Sequence, residues 1–176
     1  GDETLQFAGR FGERCARKKP PERLKERSDG TLQTNPNVML VSNIKVDGKP
    51  VGSFGDGDMW FHIDSGYAER PYRYTFLYGV KLPSWGGNTR FANMYKAYDN
   101  IPDALKQTLK DRTALQVYDY KTTAKVDIDG DLSNIHHRSQ PIFVTNPDTG
   151  RTALYVNRLM TARIDGLPRD ESDAIL

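Results

Sequence analysis

The most regular alternation of apolar and polar positions in the chain runs from Tyr72 to Leu82. One face of this stretch would carry Tyr72, Tyr74, Phe76, Tyr78, Val80 and Leu82, and the other Arg73, Thr75, Leu77, Gly79 and Lys81. Successive side chains of a β-strand point to opposite faces, so the alternation predicts a half-buried strand in an antiparallel sheet. Pro83 ends this predicted strand, and the residues 84–87 that follow it are typical of a turn.

Two other regions have the sequence features of strands joined by tight turns. The stretch from Val38 to Val46 predicts a strand, and the Asp47-Gly48 pair that follows is typical of a turn. Further along, residues 141–145 and 152–157 predict the two strands of a hairpin. The loop between them contains Gly150, which can adopt the positive φ that such a turn requires.

Helical periodicity is confined to short segments, namely 3–11, 94–99, 102–110 and one that begins near Pro168 after a predicted loop. Gly12 is placed to end the first helix. Asn93 is placed to cap the second, because its side chain can accept hydrogen bonds from the free N–H groups of a helix start. Residues 116–134 have no decisive pattern. Strands, frequent turns and minor helices together predict a mainly β fold.

The composition is that of a polar globular chain. Of its 176 residues, 37% are hydrophobic and 27% are charged, with a mean hydropathy of −0.68. This length predicts one domain, and no apolar run is long enough to cross a bilayer, so we expect no membrane partner. The 25 Lys and Arg against 23 Asp and Glu leave a net charge of +2, too small to indicate a nucleic acid as partner. The single cysteine, Cys15, excludes an intrachain disulfide and fits a cytoplasmic location.

The segment 13–36 is polar and basic, and Pro20-Pro21 interrupts it. Three glutamates divide its positive charges, and it contains no aromatic side chain on which a base could stack. We therefore predict a mobile, solvated loop rather than a site for a polyanion. A loop that shields an active site is an alternative that remains open.

Candidate chemistry centres on His62-Ile63-Asp64, which follows the apolar residues Met59, Trp60 and Phe61. If His62 and Asp64 lie on a strand, the imidazole and the carboxylate project to the same side, because residues i and i+2 share a face. A histidine and an aspartate are two of the three ligands in the 2-His-1-carboxylate site of non-haem Fe(II) oxygenases. A surface pair near the start of a strand is the structural alternative.

Acidic residues elsewhere suggest weaker candidates. Asp127, Asp129 and Asp131 alternate as they do in a calcium-binding loop. The glycine, Gly130, comes two residues early, however, and no glutamate stands at the twelfth position, so a solvated turn is favoured over a calcium site. Asp58 lies four residues before His62 and is a candidate for binding substrate in the same pocket. An aspartate that follows a glycine is also typical of a turn, and this second interpretation of Asp58 is favoured.

Three blocks of sequence connect these features to a known family. They are WFHID at 60–64, LPSWGGNTRFANMYKAYDNIPDAL at 82–105 and QPIFVTNPDTGRTALYVNRLMTARIDGL at 140–167. In these blocks, and in their order, the chain resembles the TauD/TfdA family of Fe(II)/2-oxoglutarate-dependent dioxygenases. The resemblance covers most of the chain from about Val38 onward. It implies a double-stranded β-helix, a jelly roll of the cupin type with minor helices, in a single domain over 1–176 that is cut at both ends.

The resemblance also implies a site and a reaction. His62 and Asp64 would bind Fe(II), and Thr89 would form a hydrogen bond to a carboxylate of the co-substrate 2-oxoglutarate. With O2 as the second co-substrate, such an enzyme hydroxylates a small organic acid, for example a sulfonate, a sulfate ester or an aryloxyalkanoate, and releases succinate and CO2. Members of the family form dimers or tetramers, so a homo-oligomer is compatible with the resemblance.

The chain departs from the family pattern in its histidines. The family takes its second histidine ligand, and an arginine for the far carboxylate of 2-oxoglutarate, from a later part of the chain than these 176 residues cover. His136 and His137 precede the hairpin block, so we predict that they are solvated loop side chains. Gln140 and Asn146 stand where relatives often carry histidines. The alternative function is therefore a catalytically inactive fragment or relative that keeps the scaffold and a weak metal site.

Overall fold

The computed structural model describes residues 2–15, 38–50, 59–118 and 126–176 of the chain. The candidate Asp58 lies outside the described residues, as does the predicted basic loop beyond Cys15. The described residues belong to two compact units. The single domain over 1–176 stays a prediction.

The first unit combines the described residues up to Met59 with the stretch 74–82. It contains helix α1 (Asp2–Ala8), a 3-10 turn (Gly9–Phe11) and a hairpin of strands β1 (Lys45–Val46) and β2 (Lys49–Pro50). The predicted helix over 3–11 is confirmed. Gly12 ends it with a φ of 138°, a conformation that glycine adopts without a steric penalty.

Asp47 and Gly48 form the turn between β1 and β2, as predicted, with φ values of 50° and 74°. Two successive residues with positive φ are typical of two-residue hairpin turns. The predicted strand from Val38 is wrong over most of its length, because only Lys45 and Val46 pair with a neighbour. The apolar residues before them have no strand beside them in the described part of the chain.

The predicted half-buried strand from Tyr72 to Leu82 is not formed. These residues pair with no strand among the described residues, and Val80 is 83% exposed. The alternation specifies only which side chains share a face, whereas a strand also needs a partner for its ladder of hydrogen bonds. Part of the aromatic row packs on the first helical segment instead, since the ring of Phe76 lies 5.6 Å from that of Phe7 and 5.0 Å from that of Phe11.

The second unit combines 60–73 with 83–176. Its described elements are helices α2 (Met94–Asp99), α3 (Asp103–Leu109) and α4 (Arg169–Ile175), and strands β3 (Thr113–Val117), β4 (His137–Pro141), β5 (Phe143–Thr145), β6 (Thr152–Leu154) and β7 (Thr161–Ile164). Strand β3 is the centre of an antiparallel sheet in the order β4-β3-β7, and β5 and β6 form a separate hairpin. The three helices predicted in this unit are confirmed, as is the hairpin with Gly150 at a φ of 68°.

The central strand β3 is buried on both faces. One face joins a cluster of Leu109, Ala114, Ile142 and Ile164, and the other a cluster of Leu115, Val117, Ile128 and Ala162. A strand that is covered on both sides lacks the alternation of a half-exposed one, which is why no period of two marks β3. The loop predicted before Pro168 is wrong at β7 (Thr161–Ile164), where Ala162 and Ile164 each join one of the two clusters and Thr161 forms a buried hydrogen bond.

Side-chain hydrogen bonds fix the helices of this unit. The Asn93 Oδ1 atom accepts hydrogen bonds from the backbone N–H groups of Tyr95 and Lys96, both at 3.1 Å, as predicted for an N-cap. The buried Ser172 Oγ accepts a hydrogen bond from the backbone N–H of Ile164 at 2.8 Å and so attaches α4 to β7. None of the helices in the described part of the chain has the length and apolarity that a membrane crossing requires.

Candidate metal centre

The side chains of His62 and Asp64 are brought together, but a strand does not do this. The chain has no regular structure at His62, and a turn begins at Asp64, so the prediction of a strand here is wrong. The next residue, Ser65, has a φ of 57°, which reverses the chain immediately after the pair. The Nε2 atom of His62 nevertheless lies 3.1 Å from Oδ1 of Asp64. The two side chains are 27% and 41% exposed, so solvent reaches them.

The orientation of the His62 ring is set by a backbone group. Its Nδ1 atom lies 2.8 Å from the carbonyl oxygen of Trp60. A carbonyl oxygen can only accept a hydrogen bond, so Nδ1 carries a proton and donates it. The other nitrogen, Nε2, then faces the acceptor oxygen of Asp64, and it must either carry a second proton or share a cation with the carboxylate. The hydrogen bond with Asp64 raises the pKa of the His62 imidazole, although partial burial opposes this rise.

This arrangement fits a divalent metal ion. Two donor atoms on adjacent corners of an octahedron are about 3.0 Å apart when both bonds are about 2.1 Å long, and the Nε2–Oδ1 distance is 3.1 Å. An imidazole that donates its other N–H to a backbone carbonyl is typical of histidine ligands. Among the described residues, no group of three or more His, Cys, Asp or Glu side chains surrounds a common point. The described part of the chain therefore offers two candidate ligands at this position, His62 and Asp64.

A compact turn supports the pair. Ser65 is 4% exposed, and its Oγ accepts a hydrogen bond from the backbone N–H of Tyr72 at 2.7 Å. Its backbone carbonyl accepts another from the N–H of Ala68 at 2.8 Å. Because Ser65 directly follows Asp64, these two bonds restrain the backbone that carries the carboxylate.

Two glutamines of the sheet contact the same turn, and sequence reasoning missed both roles. The Nε2 atom of Gln140, on β4, donates hydrogen bonds to the carbonyl oxygens of Gly66 at 3.0 Å and Ala68 at 2.7 Å. Gln116, on β3, is 1% exposed and lies under Gly66, where a Cβ atom would come within 3.7 Å of its side chain. A buried glutamine such as Gln116 is uncommon in a strand, but burial is known only from the structure, so no sequence signal indicated either role.

Thr89, the sequence-predicted contact for 2-oxoglutarate, forms no hydrogen bond with the pair. It lies in an exposed stretch that follows Gly86 and Gly87, whose φ values are 74° and 70°. The structure describes no hydrogen bond from Thr89 to His62 or Asp64. Thr89 is exposed to solvent.

The two remaining histidines differ in placement. His136 stacks on the ring of Tyr67 with centroids 6.2 Å apart and planes 24° apart, so it lies beside the turn that follows Asp64. His137 is the first residue of β4, where the predicted loop is wrong, and its Nδ1 lies 2.8 Å from the carbonyl oxygen of Ile135. In the part of the chain that is described, neither belongs to a group of metal-ligating side chains.

The acidic run 127–131 forms a turn. The Oδ1 atom of Asp127 accepts a hydrogen bond from the backbone N–H of Asp129, and the Asp131 carboxylate accepts two from Ser133. These bonds lower the pKa of Asp131. Asp129 pairs with Arg163 at 3.2 Å. The carboxylates thus serve local turns and an ion pair, in agreement with the solvated turn favoured by the sequence.

Comparison with known proteins gives consistent results. A family model described as "Taurine catabolism dioxygenase TauD, TfdA family" matches residues 1–176. Pentalenolactone F synthase of Streptomyces avermitilis is 31% identical over 99% of this chain and 60% of its own length. A putative alpha-ketoglutarate-dependent sulfonate dioxygenase of Schizosaccharomyces pombe is 34% identical over 66% of this chain and 30% of its own. The chain therefore spans 60% or less of the length of these two relatives.

A solved structure shares the fold. The crystal structure of a putative alpha-ketoglutarate dependent 2,4-D dioxygenase from Burkholderia xenovorans superposes with a TM-score of 0.56 at 26% identity. The match covers 66% of this chain and 46% of that one. The predicted fold class, a mainly β jelly roll with minor helices, is confirmed.

Proposed function

The chain belongs to the TauD/TfdA family of dioxygenases, and from that membership we propose that the protein is a non-haem Fe(II)/2-oxoglutarate-dependent dioxygenase. It hydroxylates a small organic acid of the sulfonate, sulfate ester or aryloxyalkanoate kind and releases succinate and CO2. The printed names of relatives support this class, since they include alpha-ketoglutarate-dependent sulfonate and 2,4-dichlorophenoxyacetate dioxygenases.

One observation carries the proposal. The His62 ring has its Nδ1 proton committed to the Trp60 carbonyl, and its Nε2 atom meets the Asp64 carboxylate at 3.1 Å. These two residues would hold Fe(II). When bound, the iron supplies the activation of O2 and of 2-oxoglutarate. The protein supplies orientation, because the Trp60 carbonyl fixes the imidazole and the Ser65 turn fixes the carboxylate.

An exposed cation on the ring of Trp60, two residues before His62, supports an acidic substrate. The guanidinium carbon of Arg158 lies 5.5 Å from the ring centroid of Trp60, whose carbonyl holds His62. Arg158 is exposed to solvent, and we propose that its positive charge contacts an acidic substrate. Asp58 stays a prediction as a further substrate contact.

A net charge of only +2 does not favour a nucleic acid or a membrane surface as the partner, so we propose a small molecule instead. Cys15 is exposed and is the only cysteine in the sequence. A chain with so little capacity for disulfides supports a cytoplasmic location. A homo-oligomer remains part of the proposal because of the family resemblance.

Thr89 is the proposed partner of a 2-oxoglutarate carboxylate. The substitution Thr89→Val keeps the shape of the side chain and removes its hydroxyl group. A hydrogen bond to a charged group contributes about 1.5–3 kcal/mol, so we expect the affinity for 2-oxoglutarate to fall roughly 10–100-fold. Titration of the Fe(II)-loaded protein with 2-oxoglutarate measures this. Thr89→Ser should retain the affinity, and a Thr89→Val protein that matches the wild type would remove Thr89 from the site.

The function itself is tested by anaerobic titration of the full-length protein with Fe(II) and then 2-oxoglutarate. Chelation of the iron by 2-oxoglutarate should produce a visible charge-transfer band, and admission of O2 should yield succinate. Zn(II), which has no redox chemistry, is the control and should give no band. Absence of both band and succinate would favour the alternative, a catalytically inactive relative with a weak metal site.

A further inference from the structure

The backbone that follows Asp64 rests directly on the three-stranded sheet. Ser65 and Gly66 are buried, and Gly66 lies against the side chain of Gln116. Gln116 is itself held in place, because its Oε1 atom accepts a hydrogen bond from Thr161 Oγ1 at 3.0 Å. The turn therefore packs on a side chain of the sheet whose position is fixed by a hydrogen bond.

One side chain ties this turn to the sheet. Gln140 pairs with Ala114 across β4 and β3, and directly paired residues point to the same face. On that face, the Nε2 atom of Gln140 donates hydrogen bonds to the carbonyl oxygens of Gly66 and Ala68, at 3.0 Å and 2.7 Å. Those carbonyls lie two and four residues after Asp64. Gln140 thus restrains both the first half and the end of the turn.

The chemistry of the two bonds requires a primary amide. Two carbonyl oxygens need two N–H groups on one nitrogen, and the NH2 of glutamine provides both. A histidine ring nitrogen at a similar reach provides one N–H, methionine provides none, and glutamate would direct a negative charge at two carbonyl oxygens. Substitutions at this position therefore form a graded series of zero, one and two donors.

We propose that Gln140 is a positioning residue for the metal ion, acting through the turn that carries Asp64. This inference rests on the proposed function, because it presupposes that His62 and Asp64 hold a metal ion. Without the two hydrogen bonds, the turn would be free to move away from the sheet, and the Asp64 carboxylate would lose its fixed place beside His62. Outer partners of metal ligands typically change metal affinity by about 10–100-fold.

The test is anaerobic Fe(II) titration of the full-length protein and its variants, with the thermal unfolding midpoint of each metal-free protein measured alongside. We expect Gln140→Met to weaken Fe(II) binding by roughly tenfold or more, Gln140→His by less, and Gln140→Glu by the most. Gln107→Glu makes the same charge change at an exposed position of α3 and should bind Fe(II) as the wild type does. If Gln140→Glu fails to fold, the neutral Met and His variants still provide the comparison.

The outcomes separate this inference from the proposed function. A wild type that binds no Fe(II) would remove the proposed function. A wild type that binds Fe(II) together with a Gln140→Met variant of equal affinity would overturn the positioning role alone. Equal losses in the Met and His variants would also overturn it, because a merely structural contribution does not follow the number of donors.

Discussion

Asp64→Asn is expected to abolish Fe(II) binding and the formation of succinate. The substitution keeps the size of the side chain but replaces an anionic ligand by a neutral amide. The oxygen 3.1 Å from His62 Nε2 would lose the charge that attracts the metal ion. The loss should exceed the roughly 10–100-fold typical of changes to outer partners of a metal site. Fe(II) titration followed by assay of succinate measures both effects in the full-length protein.

A matched control for this variant is Asp103→Asn. It removes the same charge from a side chain that is 97% exposed in the first turn of α3. Its only expected effect is a small change in helix stability, because an acidic residue near a helix N-terminus contributes about 0.3–1 kcal/mol. Retention of Fe(II) and of succinate formation by Asp64→Asn would show that the metal centre lies elsewhere.

Local interactions explain what could be predicted from the sequence. The Asn93 cap, the Asp47-Gly48 turn and the positive φ of Gly150 each depend on bonds or torsions within a few residues. The three blocks of family resemblance led to the correct fold class. None of these inferences required knowledge of which distant strands pair.

Non-local pairing explains what could not be predicted. The alternation from Tyr72 to Leu82 is strong, yet no described strand pairs with it. Strand β7 was missed because its four residues are too few for a clear sequence pattern, and their place in the sheet depends on pairing with β3. A sequence pattern reports exposure along one segment, whereas the hydrogen-bond partner of a strand is determined by the rest of the chain.

The candidate site also combines a local feature that could be predicted with a non-local one that could not. The i, i+2 spacing correctly predicted that the side chains of His62 and Asp64 lie close together, although a turn rather than a strand places them there. The support from Gln140 could not be predicted, because its hydrogen-bond partners Gly66 and Ala68 lie 74 and 72 positions away in the sequence. The two candidate ligands are therefore readable in the sequence, whereas their contacts with the sheet are known only from the structure.

Ile142→Ala is expected to give the largest loss of stability among single core substitutions at the junction between β4 and β5. The side chain is 1% exposed and packs with Leu109, Ala114 and Ile164. Removal of such a side chain leaves a cavity and costs about 2–5 kcal/mol in the free energy of unfolding. Chemical denaturation of the metal-free full-length protein measures this as a lower midpoint with an unchanged slope.

The same variant separates stability from metal binding. Ile142 lies two residues after Gln140, but its side chain belongs to the apolar cluster rather than to the turn. At a temperature where the variant remains folded, Fe(II) affinity should therefore stay near that of the wild type. Ile44→Ala, at a position 54% exposed, is the matched control and should change the free energy of unfolding by no more than about 0.5 kcal/mol. A loss at Ile142 no greater than that at Ile44 would mean that this cluster is not the core of the second unit.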